Sequence, residues 1–250
     1  MRSLFDYDGP VLRFFSKLAD LVILNFLTMI FCIPIFTIGP ALTAAHYAAL
    51  KLHRGESYVF RNYWKSFKEN FKQSIAIGFI FAIFIVIAGM GLLIMHGSTG
   101  TFNAIVQSVI LMSLIFAIII LLWVYPVQSK FVNTVPATIR NAFILGFKHI
   151  FRSLYMIMLY LLPVVLTLVS FRLFSIVILF GMSVPIYLSA MTYNKIFEKL
   201  EDMILGRNQE DEQSEGENSE GAESVLEEQS VYQLEEREES GAPEEAFEEE

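Results

Sequence analysis

Two stretches of this chain, Ile75–Met95 and Ala104–Tyr125, run for 21 and 22 residues without one charged side chain. Crossing the ~30 Å hydrocarbon layer of a bilayer takes about 20 apolar residues at the helical rise. A spanning segment must satisfy every backbone N–H and C=O internally, which restricts it to a helix or a strand of a closed barrel. These runs are continuous rather than alternating, so they read as helices. Three further segments are apolar enough to join them: Leu18–Gly39, Leu154–Phe171 and Leu173–Tyr193, the last two separated by the single charge Arg172. The fold class expected is therefore an all-α integral membrane protein with about five transmembrane helices.

Charge divides the chain in two. Residues 1–200 carry 16 Lys/Arg against 6 Asp/Glu, a net +10, whereas residues 201–250 carry 2 Arg against 20 Asp/Glu, a net −18. The first part is the transmembrane domain. The second, rich in Glu, Ser, Gly and Gln, has the composition of a disordered segment, with Val225-Leu226 and Val231–Leu234 as short apolar islands that could meet a partner. Lysine and arginine accumulate on the cytoplasmic side of spans. The connections holding Lys51, Arg54, Arg61, Lys65, Lys68 and Lys72, and Lys130, Arg140, Lys148 and Arg152, are basic, while His96–Asn103 has no Lys or Arg. This places the basic connections and the acidic C-terminus in the cytoplasm, and, with five crossings, the N-terminus outside.

The first segment is interrupted by Pro34, Gly39 and Pro40, a structural turn. Proline inside a helix removes a hydrogen bond, and Leu21–Ile33 alone would extend only about 20 Å. Two readings follow. In one, a kinked span precedes a short helix, Ala41–Leu52, at the cytoplasmic surface. In the other, the segment is a re-entrant hairpin bent at Pro34–Pro40, with the N-terminus inside. The run is too long for a secretory h-region. The lone Cys32 excludes an internal disulfide and reads as a small core hydrophobe.

Two basic, aromatic stretches lie outside the continuous apolar runs. Phe60–Ser74 places Trp64, Phe67 and Phe71 at helical spacing among Arg61, Lys65, Lys68 and Lys72. Ile139–Ser153 does the same with Phe147 and Phe151 among Arg140, Lys148 and Arg152. Each reads as an amphipathic interfacial helix with rings toward lipid and cations toward water and anionic headgroups; these twelve side chains are the candidate lipid or partner contacts. The two stretches align with one gap (Arg61-Asn62 on Arg140-Asn141, Ser74 on Ser153), so residues 60–125 and 139–193 read as a pseudo-repeat of amphipathic helix followed by helical hairpin.

Residues that carry chemistry are sparse. The interiors of spans two to five hold no Asp, Glu, Lys or His, which speaks against a proton relay. His46, His53, His96 and His149 have no metal-ligand spacing and read as surface or interfacial groups. No nucleotide loop or nucleophile turn is present. The expectation is a non-enzyme without cofactor or metal and without nucleic-acid binding. Asn25, Thr28, Gln107, Ser108, Ser113, Thr167 and Ser183 read as hydrogen-bonding groups between helices, and Pro126, Pro163 and Pro185 as kinks or packing irregularities.

Thr37-Ile38-Gly39-Pro40-Ala41 followed by Ala44–Leu52, Phe67–Phe71, Phe131-x-Asn133-Thr134 and Arg140-Asn141-Ala142-Phe143 together resemble the YesL-like family of bacterial multi-pass membrane proteins of undetermined function. The resemblance covers residues 5–200 and omits the tail. It implies a Gram-positive-type plasma membrane and an accessory role beside carbohydrate uptake, with subunits of an ATP-driven sugar importer as partners. It implies no catalytic residue. A small transporter or channel for a neutral solute stays open as the alternative.

Overall fold

The structure, a computed structural model, describes residues 10–56, 58–97 and 100–206, and among them there is no strand. The helices are α1 (Pro10–Cys32), α2 (Ile38–His53), α3 (Val59–Met95), α4 (Thr101–Lys130), α5 (Val135–Lys148), α6 (Ile150–Val169), α7 (Phe174–Phe180) and α8 (Ser183–Gly206), with single 3-10 turns at Ile35–Thr37 and Phe171–Leu173. Helices α1, α3, α4 and α6 are each long and apolar enough to cross a membrane, and α7 with α8, bent by 50°, makes a fifth such segment. This is an all-α membrane protein. The chain divides into two units, Met1–Lys195 and Ile196–Glu250. The first is the helical body; of the second, the described part is the end of α8. Of the acidic stretch 201–250, expected to be disordered, 201–206 continue α8 and 207–250 lie outside the described residues.

The turn after α1 follows from its sequence. Pro34 has no N–H to continue the helix and sits in an extended conformation, φ −75° and ψ 123°. Helix α1 therefore ends at Cys32, short of the Gly39 boundary expected for the first span. The Thr37 N–H bonds Pro34 O at 3.0 Å, and the buried Thr37 hydroxyl, with one proton to give, lies 2.7 Å from both Phe31 O and Pro34 O. Pro40 falls in the first turn of α2, where an N–H would have no helical partner. At its other end α2 closes in a Schellman motif. Gly55, at φ 92°, donates to Leu52 O, and Glu56 N–H reaches Lys51 O at 3.0 Å.

Helix α2 is the centre of the body. It packs on α1, α3 and α4, and Ala41, Ala44, Ala45, Ala48 and Ala49 are all buried. Small side chains let neighbouring backbones approach closely. One such close approach is at Gly39, where an added β carbon would lie 2.5 Å from Ser74 O. The kinked-span reading puts Ala41–Leu52 at the cytoplasmic surface of the membrane; within the protein its alanine seam is enclosed by neighbouring helices.

Helix α3 contains 37 residues, about 55 Å at the helical rise. The basic stretch Phe60–Ser74 and the apolar run Ile75–Met95 are one helix, because neither Gly nor Pro falls at their junction. The second basic stretch differs, being divided at His149 between α5 and α6. The fifth apolar segment is not continuous over 173–193 either. It breaks at Gly181-Met182 between α7 and α8, where Pro185 cannot donate to Gly181 O. Large apolar side chains stay exposed along the spans, for example Phe79, Ile83 and Ile87 on α3 and Leu154, Leu161 and Leu168 on α6. In water such a surface would drive association; against lipid tails it is solvated.

Candidate functional site

On α3, Arg61, Lys65, Lys68 and Lys72 are all exposed, and their spacing of four, three and four puts them on one stripe. The opposite side of the same turns is buried: Tyr63, Ser66, Phe67 and Ser74. The rings there pack on protein, with Phe31 of α1 5.7 Å from Tyr63, 5.6 Å from Trp64 and 4.8 Å from Phe67 between ring centroids. Phe71 is 5.4 Å from Phe67. Trp64 is 37 % exposed, and the Lys68 ammonium lies over its ring at 4.9 Å. On α5 and α6, Arg140 and Lys148 are exposed and Arg152 half-buried. Phe147 packs edge-on to Phe116 at 5.2 Å, and Phe151 is exposed. The structure brings the α3 cations together and leaves Arg140 twelve positions from Arg152, with a helix break between them.

The aligned serines occupy comparable places. Buried Ser74 shares a hydrogen bond with Thr43 of α2 at 3.0 Å. Buried Ser153 accepts from the Trp123 indole at 2.8 Å and donates to Gly146 O at 2.9 Å. Each fastens a span to the short helix before it. His149 stacks on Trp123; burial, then Arg152 and Lys148, push its imidazole down.

His46 departs from the surface position expected of it. It is 3 % exposed, in α2. Its Nδ1 lies 3.1 Å from the Tyr193 hydroxyl and its Nε2 3.2 Å from the Tyr160 hydroxyl. A neutral imidazole has one donor and one acceptor nitrogen, so one tyrosine donates to the ring and the other accepts from it. The bridge ties α2 to α6 and α8 and uses both ring nitrogens. The expectation failed because Lys51 and Arg54 end the same helix and made it look solvent-facing, whereas the alanines before them were the informative residues.

Asn25 is the second polar centre. It is fully buried in α1. Its Oδ1 accepts from Met182 N at 2.8 Å and Ser183 N at 3.1 Å, and its Nδ2 donates to Ile178 O at 2.7 Å. One side chain thus satisfies the backbone groups freed at the α7–α8 break, which lipid could not. Gln107 acts similarly, donating to Met95 O at the end of α3 at 2.8 Å. Thr28, Ser108 and Thr167 bond the carbonyl four residues back, and Ser113 the one three residues back. The Ser183 hydroxyl is buried without a partner among the described residues.

Beside the histidine bridge, one cavity opens between α2, α4 and α6, and a second between the Ile35–Thr37 turn, α2, α3 and α4. One, about 340 Å³, is lined by Leu42, His46, Leu122 and Tyr160 among others. The other, about 470 Å³, is lined by Phe36, Gly78, Phe81 and Ile85 among others. Ile38, Leu121 and Tyr125 belong to both walls. Among the described residues no cluster of His, Cys, Asp and Glu could hold a metal ion.

The long apolar helices, with their exposed hydrophobic surface and internally satisfied backbone breaks, define a multi-helix membrane protein. A family model described as a protein of unknown function, DUF624, matches residues 21–92, from within α1 through α2 and most of α3. No curated protein and no solved structure matches the chain.

Proposed function

We propose that this chain is a YesL-like, non-enzymatic accessory protein of a bacterial plasma membrane, which holds subunits of an ATP-driven carbohydrate importer against its cytoplasmic face. The observation that carries the docking role is the exposed cation stripe Arg61, Lys65, Lys68 and Lys72. It stands on a helix whose other side is buried, so the charges are held in a fixed array. Such an array favours an acidic partner surface through complementary potential. The carbohydrate assignment rests on the resemblance carried by Thr37–Ala41, a motif inside the matched stretch 21–92. Loop charge supports a cytoplasmic position for the stripe and the C-terminus.

The full chain, cross-linked in native membranes and then purified, should bring down importer subunits. The variant with Arg61, Lys65, Lys68 and Lys72 all changed to Gln should lose them. Recovery of the wild-type chain alone after cross-linking counts against the proposal.

One observation favours a second reading, a small transporter for a neutral solute. Discontinuous helices are where many transporters place their sites, and α7–α8 is bent by 50° at a break held by Asn25. Solute flux into vesicles reconstituted with the chain, tested over a panel of neutral sugars and polyols, supports it; tight vesicles argue against it.

A further inference from the structure

The cation stripe of α3 has more to it than charge. Among the described residues none of Arg61, Lys65, Lys68 and Lys72 has an ion-pair partner. Beside them runs a row of exposed rings, with Phe60 61 % and Trp64 37 % exposed. Residues four apart are neighbours on a helix, so these rings adjoin Arg61, Lys65 and Lys68. The surface fits an occupant that is anionic and also carries apolar side chains.

The length of α3 decides between lipid and protein as that occupant. The uncharged run begins at Ile75, and the headgroup layer outside the hydrocarbon is only about 5–8 Å thick on each side. For a helix along the membrane normal, Lys72 then lies at headgroup level, roughly 5 Å out at the helical rise. Lys65 and Arg61 lie roughly 15 and 21 Å out, beyond the headgroups. Anionic lipid therefore reaches one end of the stripe, whereas a soluble acidic segment covers all of it.

The chain itself contains such a segment. Residues 207–250 hold 18 Asp/Glu against 2 Arg, a net −16. Within them, 227–239 sets Glu227, Glu228, Glu235, Glu236, Glu238 and Glu239 around Val231, Tyr232 and Leu234. The tether is long enough. Asn194 of α8 accepts from Arg54 Nε at 3.0 Å, which ties that turn of α8 to the connection leading into α3. The rest of α8, to Gly206, spans about 18 Å. The residues between 206 and 227 reach up to roughly 70 Å when extended.

We propose that segment 227–239 docks on the α3 stripe of its own chain, glutamates on the four cations and Val231, Tyr232 and Leu234 against Phe60 and Trp64. The contact needs no second protein. Its consequence rests on the importer reading: the segment is then a built-in competitor, and an importer subunit must displace it. A tethered competitor acts at an effective concentration on the order of millimolar, so only an acidic surface that fits the stripe better wins it.

The test uses the full chain in nanodiscs of phosphatidylcholine and phosphatidylglycerol, so that anionic headgroups compete for the same cations. A benzophenone amino acid replaces Tyr232, and the products of irradiation are digested and sequenced. The expected product joins 227–239 to the α3 peptide 59–72 within one chain. Changing all six glutamates of 227–239 to Gln should lower its yield at least about fivefold, the low end for the loss of four surface ion pairs. Raising salt from about 0.05 to 1 M, which shortens the screening length to about 3 Å, should lower it likewise. The glutamate variant alters no residue of α1 to α8, so it leaves the helical body as it is. Cross-links that go only to lipid, to a second copy or to a part of the chain other than α3 overturn the proposal, as does a yield unmoved by the glutamate changes. These nanodiscs hold no importer, so failure here is separate from failure of the native-membrane capture.

Discussion

Gly39 and Ser74 mark a close contact between the central helix and the long one: a β carbon on Gly39 would lie 2.5 Å from the Ser74 carbonyl oxygen and 3.5 Å from its β carbon. The obstructing atom is backbone inside α3, so it cannot turn aside as a side-chain tip would. Gly39→Ala must push α2 off α3, an overpacking cost of about 1–3 kcal/mol. Thermal unfolding in detergent should show the loss as a lower Tm. Gly89→Ala is the control, since nothing lies within 4 Å of its added methyl, and it should leave Tm unchanged or raise it slightly. Equal effects of the two substitutions would contradict the close packing.

Asn25 replaces helical hydrogen bonds at the α7–α8 break, and its removal has a local signature. Asn25→Ala leaves Met182 N–H, Ser183 N–H and Ile178 O without their partner. Each buried group left unpaired costs about 1–3 kcal/mol. Amide exchange over 178–186 should accelerate while exchange in α3 stays as it was. Asn25→Asp keeps an acceptor for the two amides but loses the donor to Ile178 O, so its exchange should fall between that of the wild-type chain and that of the alanine variant. Unchanged exchange in the alanine variant rules out this role.

His46 gives a pH dependence with a defined sign. It lies in α2, which is not one of the span-length helices, and burial pushes its imidazole from 6.5 down to about 3. The folded protein therefore holds the ring neutral while the unfolded chain takes up a proton below pH 6.5. Stability from this group is fully present above that value. It falls as pH drops toward 3, by at most about 1.4 kcal/mol per pH unit for one proton. His46→Phe loses the bonds to Tyr160 and Tyr193 and should be less stable at neutral pH. Its Tm should nevertheless fall less steeply than that of the wild-type chain on acidification. Parallel profiles would show that His46 does not govern the slope.

The apolar runs were legible because twenty uncharged residues admit few alternatives. The end of α1 at Cys32 was signalled by Pro34, and the continuity of α3 by the absence of Gly and Pro between Phe60 and Ile77. The α7–α8 break also had its markers, Gly181 and Pro185, but a break inside an apolar run leaves hydropathy unchanged, so the run reads as one span. The burial of α2 was harder to see. Periodicity cannot show that a helix is covered on every side, and Lys51 and Arg54 pulled the reading outward. His46 does not stand out in the sequence, since its significance comes from the tyrosines that α6 and α8 place beside it.

Orientation rests on charge and can be tested without the structure. Cys32 is half-buried, so a Cys32→Ser background removes the single native thiol. Single cysteines are then placed at Glu56, in the connection flanked by Lys51, Arg54 and Arg61, and at Gly97, in a turn without Lys or Arg; both positions are exposed. Cationic connections are retained on the cytoplasmic side because the membrane potential and anionic inner leaflet oppose their export. A membrane-impermeant maleimide applied to intact cells should label Gly97→Cys and spare Glu56→Cys until the membrane is permeabilised. The reverse pattern would put the α3 cation stripe outside the cell, out of reach of any cytoplasmic importer subunit. Labelling of both in intact cells would mean that α3 does not cross between them.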